Sequence, residues 1–209
     1  ITLHDTYFVV AHFHLVMGSA AFFGMVAGVY HWYPKMFGRM LNNTMGYIHF
    51  WVTFIGVYLV FFPQHYLGIA GFPRRYYQYT GFDIWDGKYQ DLTILSTIAA
   101  IITFAAQLVF MFNFFYSMFY GKKATANPWN SNTLEWTTPI EPGHGNWEGE
   151  IPTVYRWPYD YSKPGAAQDF IPQNIPFSAT PESNLPEENE QIKMEKEIEG
   201  IKFDYSIPD

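Results

Sequence analysis

Two histidines with one residue between them lie at the start of a long apolar stretch of this chain. His12 and His14 belong to a run from about residue 9 to residue 33 that contains no Asp, Glu, Lys or Arg. Successive residues of an α-helix are turned by about 100°, so the two side chains point roughly 200° apart. They cannot easily chelate one small ion, but each can ligate a separate partner. A helix held between two large cofactors is the simplest use of this geometry.

Packing is the alternative role for these two side chains. A buried histidine is more often a hydrogen-bonded packing residue than a ligand, and for His12 and His14 this alternative stays open. Ionisable groups at membrane depth are energetically costly, however, and usually mark a functional site. Imidazole is also the usual axial ligand of haem iron. The pair is therefore a candidate haem-binding site.

Three apolar runs are each long enough to cross a membrane, since about 20 apolar residues span a bilayer core. They extend over about residues 9–33, 45–69 and 92–120. We expect Pro34 and Gly38 to break the first helix, and Pro63 to kink or end the second. The predicted fold class is an all-α membrane protein, with three transmembrane helices that belong to a larger helical bundle.

The composition changes after residue 121. Residues 1–121 carry five Lys/Arg and four Asp/Glu, whereas residues 122–209 carry seven Lys/Arg, fifteen Asp/Glu and eleven of the fourteen prolines. This predicts a membrane domain over 1–121 and a mostly irregular, proline-rich, acidic tail over 122–209. The acidic balance argues against a nucleic-acid partner. The absence of cysteine excludes disulfides and iron–sulfur clusters.

Three motifs of the chain resemble subunit I of the haem–copper cytochrome c oxidases. The first is His-Asp-Thr-Tyr-Phe-Val-Val-Ala-His-Phe-His at 4–14. The second is Phe-Phe-Pro-Gln-His-Tyr-Leu-Gly at 61–68 with Gly-Phe-Pro-Arg-Arg-Tyr at 71–76, and the third is Asn-Pro-Trp at 127–129 with Thr-Leu-Glu-Trp at 133–136. The resemblance covers residues 1 to about 140. Because the chain enters the first motif almost at once, we expect it to be the C-terminal part of a longer polypeptide.

The resemblance implies roles for three neighbouring residues. His12 would be the axial ligand of a high-spin haem, where oxygen binds and reacts, and His14 would be an axial ligand of a low-spin haem. Phe13 lies between them, and the path His14–Phe13–His12 is a hypothetical electron route between the haems. Haem a is the type expected, although types b and o stay open.

The resemblance also implies a cation site and a propionate site at one end of the helices. His4 would ligate a magnesium or manganese ion at a subunit interface, and Asp5 would support that site. The alternative role of His4 and Asp5 is to cap the following helix. Arg74 and Arg75 would bind haem propionates, because guanidinium groups bind carboxylates in a fork geometry. Contact with lipid headgroups is the alternative for the two arginines.

The family's site also needs parts that this chain does not supply. A copper ion near the oxygen site needs three histidines, and the low-spin haem needs a second axial histidine. We expect these ligands from the N-terminal part of subunit I. The other implied partners are oxidase subunits II and III, cytochrome c or an equivalent electron donor, and the lipid membrane.

The predicted location is a bacterial cell inner membrane, which the chain crosses several times, with the C-terminal tail in the cytoplasm. The Lys and Arg residues on the tail side outnumber those on the other side by four to three. By the positive-inside rule, this small excess favours a cytoplasmic tail. The two groups are Lys35, Arg39, Lys122 and Lys123 on the tail side, and Arg74, Arg75 and Lys88 on the other.

The predicted function is that of a piece of the catalytic subunit of a respiratory terminal oxidase. Such an enzyme reduces oxygen to water with electrons from cytochrome c and translocates protons. A membrane cytochrome that only carries electrons and a nitric oxide reductase-like haem–copper enzyme are the alternatives. A structural module of three helices, whose histidines only pack, is a further one.

Overall fold

The structure is a computed structural model, and it describes residues 2–79, 87, 89–147, 149–161 and 168–176. Within these residues the long elements are all helices, and the β-type pairings are isolated bridges. The helices are α1 (Tyr7–Phe13), α2 (Ser19–Phe37), α3 (Asn43–Ile69) and α4 (Gln90–Tyr120), with a π-helical turn at His14–Gly18 and a 3-10 turn at Leu134–Thr137. Three helical spans are long and apolar enough to cross a membrane. The predicted all-α membrane fold is confirmed.

The first span is one continuous helical stretch, Tyr7–Phe37, formed by α1, the π turn and α2. Pro34 lies inside its last turn, so the expectation that Pro34 breaks the helix is wrong. The carbonyl of Pro34 still accepts the backbone N–H of Gly38 at 3.0 Å. Gly38 has a left-handed backbone with φ 62°, as glycine does after a helix, and the helix ends there as expected.

The second span begins at a capped end and passes through a proline. The Asn42 side chain accepts the backbone N–H of Met45 at 3.1 Å, which satisfies one free donor of the first turn of α3. Pro63 lies inside α3, and the helix continues to Ile69. Of the two outcomes that the sequence predicts for Pro63, ending the helix does not occur.

Helices α3 and α4 form the most extensive helix contact of the described residues. Gly56 lies so close to α4 that an added Cβ would overlap Thr103 Oγ1. A chain of side-chain hydrogen bonds crosses the same interface. His49 Nε2 is 2.9 Å from Gln107 Oε1, and Gln107 Nε2 donates to Thr53 Oγ1 at 2.9 Å. His49 is thus a buried, hydrogen-bonded packing residue.

The ends of the spans meet in the two groups that the charge pattern predicts. Arg39 pairs with Lys123 in a β-bridge, and the backbone N–H of Met40 donates to the carbonyl of Lys122 at 2.8 Å. The Lys35 ammonium donates to the carbonyl of Ala126 at 3.0 Å. At the other end Thr6 forms a bridge with Pro73. Lys88 lies outside the described residues.

The chain divides into two compact units: residues 1–126 with 140–142, and residues 127–139 with 143–209. The division falls close to the change of composition at residue 121. The described part of the second unit is irregular, and buried Arg156 and Gln173 make hydrogen bonds across it. Arg156 donates through Nε to the carbonyl of Ile175 at 2.8 Å, and the Gln173 amide donates to the carbonyl of Arg156 at 2.9 Å.

Candidate functional site

The two histidines of the first motif have different surroundings. His12 lies in the last turn of α1, and His14 follows directly with a helical backbone (φ −70°, ψ −37°). The two-residue step is therefore helical, and the angular separation used in the sequence argument applies. His12 is exposed, whereas His14 is half-buried against α3. Each imidazole consequently faces its own environment.

The hydrogen bond of His14 determines its tautomer. Nδ1 lies 2.8 Å from the carbonyl oxygen of Val10. A carbonyl only accepts, so Nδ1 must carry a proton, and in the neutral imidazole Nε2 then keeps its lone pair. Metal-binding histidines in general donate their second ring N–H to a carbonyl or carboxylate in this manner. His14 therefore presents the tautomer that iron ligation through Nε2 requires.

The ring of His14 also stacks on an aromatic ring of another helix. The Phe61 ring of α3 is parallel to it within 7°, with the ring centroids 4.5 Å apart. Phe13 contacts the ring as well, at a centroid distance of 4.2 Å and an angle of 32°. The imidazole is thus in contact with aromatic rings from its own helix and from α3.

A π-helical turn begins at His14. The carbonyl of His14 accepts the backbone N–H of Ser19, five residues ahead, and also the Ser19 hydroxyl at 2.8 Å. Such turns are frequent at functional sites. The spacing of the histidines predicts a regular α-helix here, and no residue type in the segment identifies the π turn.

A cavity of about 260 Å³ lies beside His14. Its lining is mostly apolar, with a few hydroxyl and amide groups, and comes from the π turn, α2, α3 and α4. Among its lining residues are His14, Gly18, Phe22, Val57, Phe61 and Phe104. An apolar wall with one histidine is what a haem face requires, since the protein supplies an axial ligand and controls polarity. The residues present therefore fit one wall of a haem site.

His12 has less support from this part of the chain. Its side chain is exposed, as is Phe13 at 39%. Among the described residues no three His, Cys, Asp or Glu side chains cluster closely enough to hold a metal ion. A metal ion bound here would need ligands from outside these residues.

The predicted cation and propionate residues form one connected cluster. Asp5 Oδ1 accepts from Arg74 Nη2 at 2.7 Å and from Nε at 3.1 Å, while Oδ2 lies 2.9 Å from His4 Nδ1. The backbone N–H of Arg74 also donates to the carbonyl of Asp5 at 2.9 Å. The structure thus brings His4, Asp5 and Arg74 together. The hydrogen bond from Arg74 lowers the pKa of the Asp5 carboxyl below its usual value, and the charge of Arg75 acts in the same direction.

The backbone at this cluster is unusual, and neither His4 nor Asp5 is the N-cap of the following helix. Asp5 and Arg75 both have positive φ, 58° and 72°, a conformation that is uncommon for residues other than glycine. Thr6 is the N-cap, because its hydroxyl accepts the backbone N–H of Phe8 at 3.3 Å. Asp5 is therefore free of a capping role. The guanidinium of Arg75 is exposed.

A pair of tyrosines lies near the same end of the helices. The hydroxyls of Tyr7 and Tyr79 are 2.7 Å apart, and both residues line a cavity of about 280 Å³ with Gln64 and Ser96. Burial raises the pKa of the Tyr79 hydroxyl, and the hydrogen bond with Tyr7 adds to this effect. Tyr7, Tyr79 and Phe61 could not be identified as site residues from the sequence, because each acquires its partner only through the fold.

Comparison with known proteins gives consistent matches. Residues 1–102 match the family model described as cytochrome c and quinol oxidase polypeptide I. The chain is 54% identical over 177 residues to the alternative cytochrome c oxidase subunit 1 of Bradyrhizobium diazoefficiens, covering 84% of this chain and 30% of the relative. It is 47% identical over 161 residues to the cytochrome c oxidase subunit 1 of Synechocystis, covering 77% of this chain and 28% of the relative. The chain therefore spans less than a third of the length of these curated relatives.

Proposed function

The chain belongs to the family of cytochrome c and quinol oxidase polypeptide I, and we propose that it forms part of the catalytic subunit of a respiratory terminal oxidase. The complete enzyme would reduce oxygen to water with electrons from cytochrome c and couple this reaction to proton translocation. Relatives whose names specify cytochrome c oxidase support this donor. The chain's role in the enzyme would be to supply one wall of the reaction site.

The observation that carries the proposal is the state of His14 beside its apolar cavity. Its Nδ1–H is engaged by the Val10 carbonyl, so Nε2 can donate its lone pair to the iron of a low-spin haem. His12, two residues earlier and facing another environment, would ligate the high-spin haem and is the proposed catalytic ligand. Phe13 lies between the two, and the path His14–Phe13–His12 would be an electron route between the haems.

The bound cofactors would supply the redox chemistry: two haems, expected to be of type a, and a copper ion whose ligands lie outside this chain. The residues here hold and orient them. Arg75 is exposed and would bind a haem propionate, whereas Arg74 would do so while also fixing Asp5. His4 and Asp5 would contribute to a magnesium or manganese site at a subunit interface. Hard dications prefer oxygen ligands, so further ligands would come from the partner subunit.

The proposed assembly follows from the incomplete site. The N-terminal part of subunit I would supply the remaining haem and copper ligands, and subunits II and III would complete the complex. Its proposed location is a bacterial cell inner membrane, crossed by the three spans, with the tail in the cytoplasm. A membrane cytochrome with two six-coordinate haems, or a nitric oxide reductase-like enzyme, would be the competing functions.

The test uses the purified complex and three histidine variants. We expect the wild type to bind carbon monoxide at one reduced haem, the proposed high-spin haem. An electron carrier with two six-coordinate irons would bind none. His12→Ala should abolish that carbon monoxide difference spectrum, and His14→Ala should abolish the low-spin haem signal. His65→Gln is the matched control, since His65 contacts the carbonyl of Phe62 at 3.3 Å within its own helix. Carbon monoxide binding that survives in His12→Ala would refute the assignment.

A further inference from the structure

The His14 imidazole is held by a hydrogen bond within its own helix and by a parallel ring of another helix, while its neighbour Phe13 contacts it at a larger angle, 32°. The Val10 carbonyl, one turn earlier on the same helix, holds Nδ1 at 2.8 Å. This contact fixes one edge of the ring but allows the ring plane to tilt about it. The Phe61 ring of α3 covers a face of the imidazole, parallel within 7°. Together a point contact and a plane contact determine the position of Nε2 and the direction of the ring plane.

We propose that Phe61 is a positioning residue that sets the plane of the His14 axial ligand of the low-spin haem. The proposal rests on the assignment of His14 in the proposed function and goes beyond it to a residue of a different helix. Phe61 does not itself need to touch iron. It acts through the imidazole, because a tilted ring changes both the overlap of Nε2 with the metal and the length of the bond to the Val10 carbonyl.

The surroundings of Phe61 support a specific role over general packing. Phe61 lines the cavity beside His14, together with Gly18 and Phe22. Its neighbour Phe62 instead contacts the rings of His65 and Tyr66 on its own helix. Phe62 is also 51% exposed, so the two adjacent phenylalanines of α3 have different tasks. This difference provides a matched control one residue away.

The consequence can be measured without following turnover. The electronic structure of a low-spin ferric haem depends on the orientation of its axial imidazole planes, and the hydrogen bond at the second ring nitrogen tunes how strongly the ligand donates. Loss of the stacked ring should free the imidazole to tilt and weaken the Nδ1–H bond. The ligand then donates less strongly to the ferric iron, so the midpoint potential of this haem rises.

The experiment compares Phe61→Leu, Phe62→Leu and Phe61→Tyr in the complete oxidase complex, by electron paramagnetic resonance of the oxidised enzyme and by redox titration. We expect Phe61→Leu to shift and broaden the low-spin g-values and to raise the midpoint potential. Phe62→Leu should match the wild type. Phe61→Tyr keeps the aromatic ring and should give the wild-type signal. General destabilisation of α3 would not explain such a difference between Phe61→Leu and Phe61→Tyr.

Each outcome decides one question. A wild type without any low-spin haem signal would overturn the proposed function itself. A wild-type signal that persists unchanged in Phe61→Leu, or equal shifts in Phe61→Leu and Phe62→Leu, would overturn the positioning role. If Phe61→Leu loses the haem altogether, Phe61→Tyr decides: a wild-type spectrum supports the role, and an altered spectrum refutes it.

Discussion

Replacing Gly68 by alanine should weaken the attachment of the histidine-bearing helix to α3. A Cβ at Gly68 would overlap the backbone nitrogen of Phe8 and lie 2.6 Å from its Cα, whereas ordinary van der Waals contact begins at 3.4 Å. The first turn of α1 would have to retreat by more than roughly 0.8 Å, the difference between these two distances for Phe8 Cα, because the Phe8 nitrogen lies closer still. Because the obstructing atoms belong to the backbone, no side-chain rotation relieves the overlap. Overpacking of this kind costs roughly 1–3 kcal/mol.

The assay is thermal denaturation of the purified complex, followed by loss of haem absorbance. We expect a lower midpoint for Gly68→Ala, by about 2–4 °C for each kcal/mol if the chain behaves as a domain of about 200 residues. Gly24→Ala is the control, because nothing lies within 4 Å of a Cβ at Gly24. It should be neutral or slightly stabilising, since glycine inside a helix is less favourable than alanine by roughly 0.5–1 kcal/mol. Equal midpoints for the two variants would refute the argument from close approach.

Three further predictions concern polar groups. Gln107→Leu removes the partner of His49 Nε2 and should lower stability by about 0.6–2 kcal/mol in the same thermal assay, and an unchanged midpoint would contradict this. Burial raises the pKa of Tyr79 above 10.0, so its stabilising contribution is complete below pH 10 and declines as the pH rises further. At a pH about one unit above 10.0, the ultraviolet difference spectrum between folded wild type and folded Tyr79→Phe should therefore show no phenolate absorbance. The phenolate of Tyr79 should appear only when the protein unfolds. Arg156→Met removes the guanidinium that lies 3.5 Å from the Asp160 carboxylate and should cost about 3–5 kcal/mol within the second unit, detected as faster limited proteolysis of the tail.

The three spans were predictable because a membrane-crossing helix requires a long uncharged apolar run, and hydropathy measures that property directly. Their ends were less predictable. The first span ends at Phe37, whereas the apolar run in the sequence ends near Tyr33. The last turn of α2 includes Lys35, a charged residue that is buried in the structure. Its ammonium donates to the carbonyl of Ala126, a partner 91 positions away. A window of hydropathy counts such a lysine as a stop.

Some features of the candidate site were likewise predictable from the sequence, and others were not. The separation of His12 and His14 around the helix follows from spacing alone, and the structure keeps a helical backbone there. The link between Asp5 and Arg74 joins residues 69 positions apart, so the sequence could name both residues but not their hydrogen bond. The π turn after His14 had no signal in residue type. Close helix approach occurs at Gly56, against a side chain of α4, and at Gly68, against the backbone of α1.

The properties that suit His14 to its proposed role as a ligand therefore arise at two levels of structure. Its tautomer is a local property, because helical periodicity places the Val10 carbonyl one turn below the ring. Any helix with the same motif would favour the same tautomer. The plane of the ring is a property of the fold, because Phe61 reaches it from α3. Close packing at Gly68 holds α1 against α3 and thereby keeps Phe61 within stacking distance. A helix that carries residues 4–14 alone would keep the tautomer of His14 but not the plane of its ring, so the proposed ligand role depends on α3 as much as on the histidine itself.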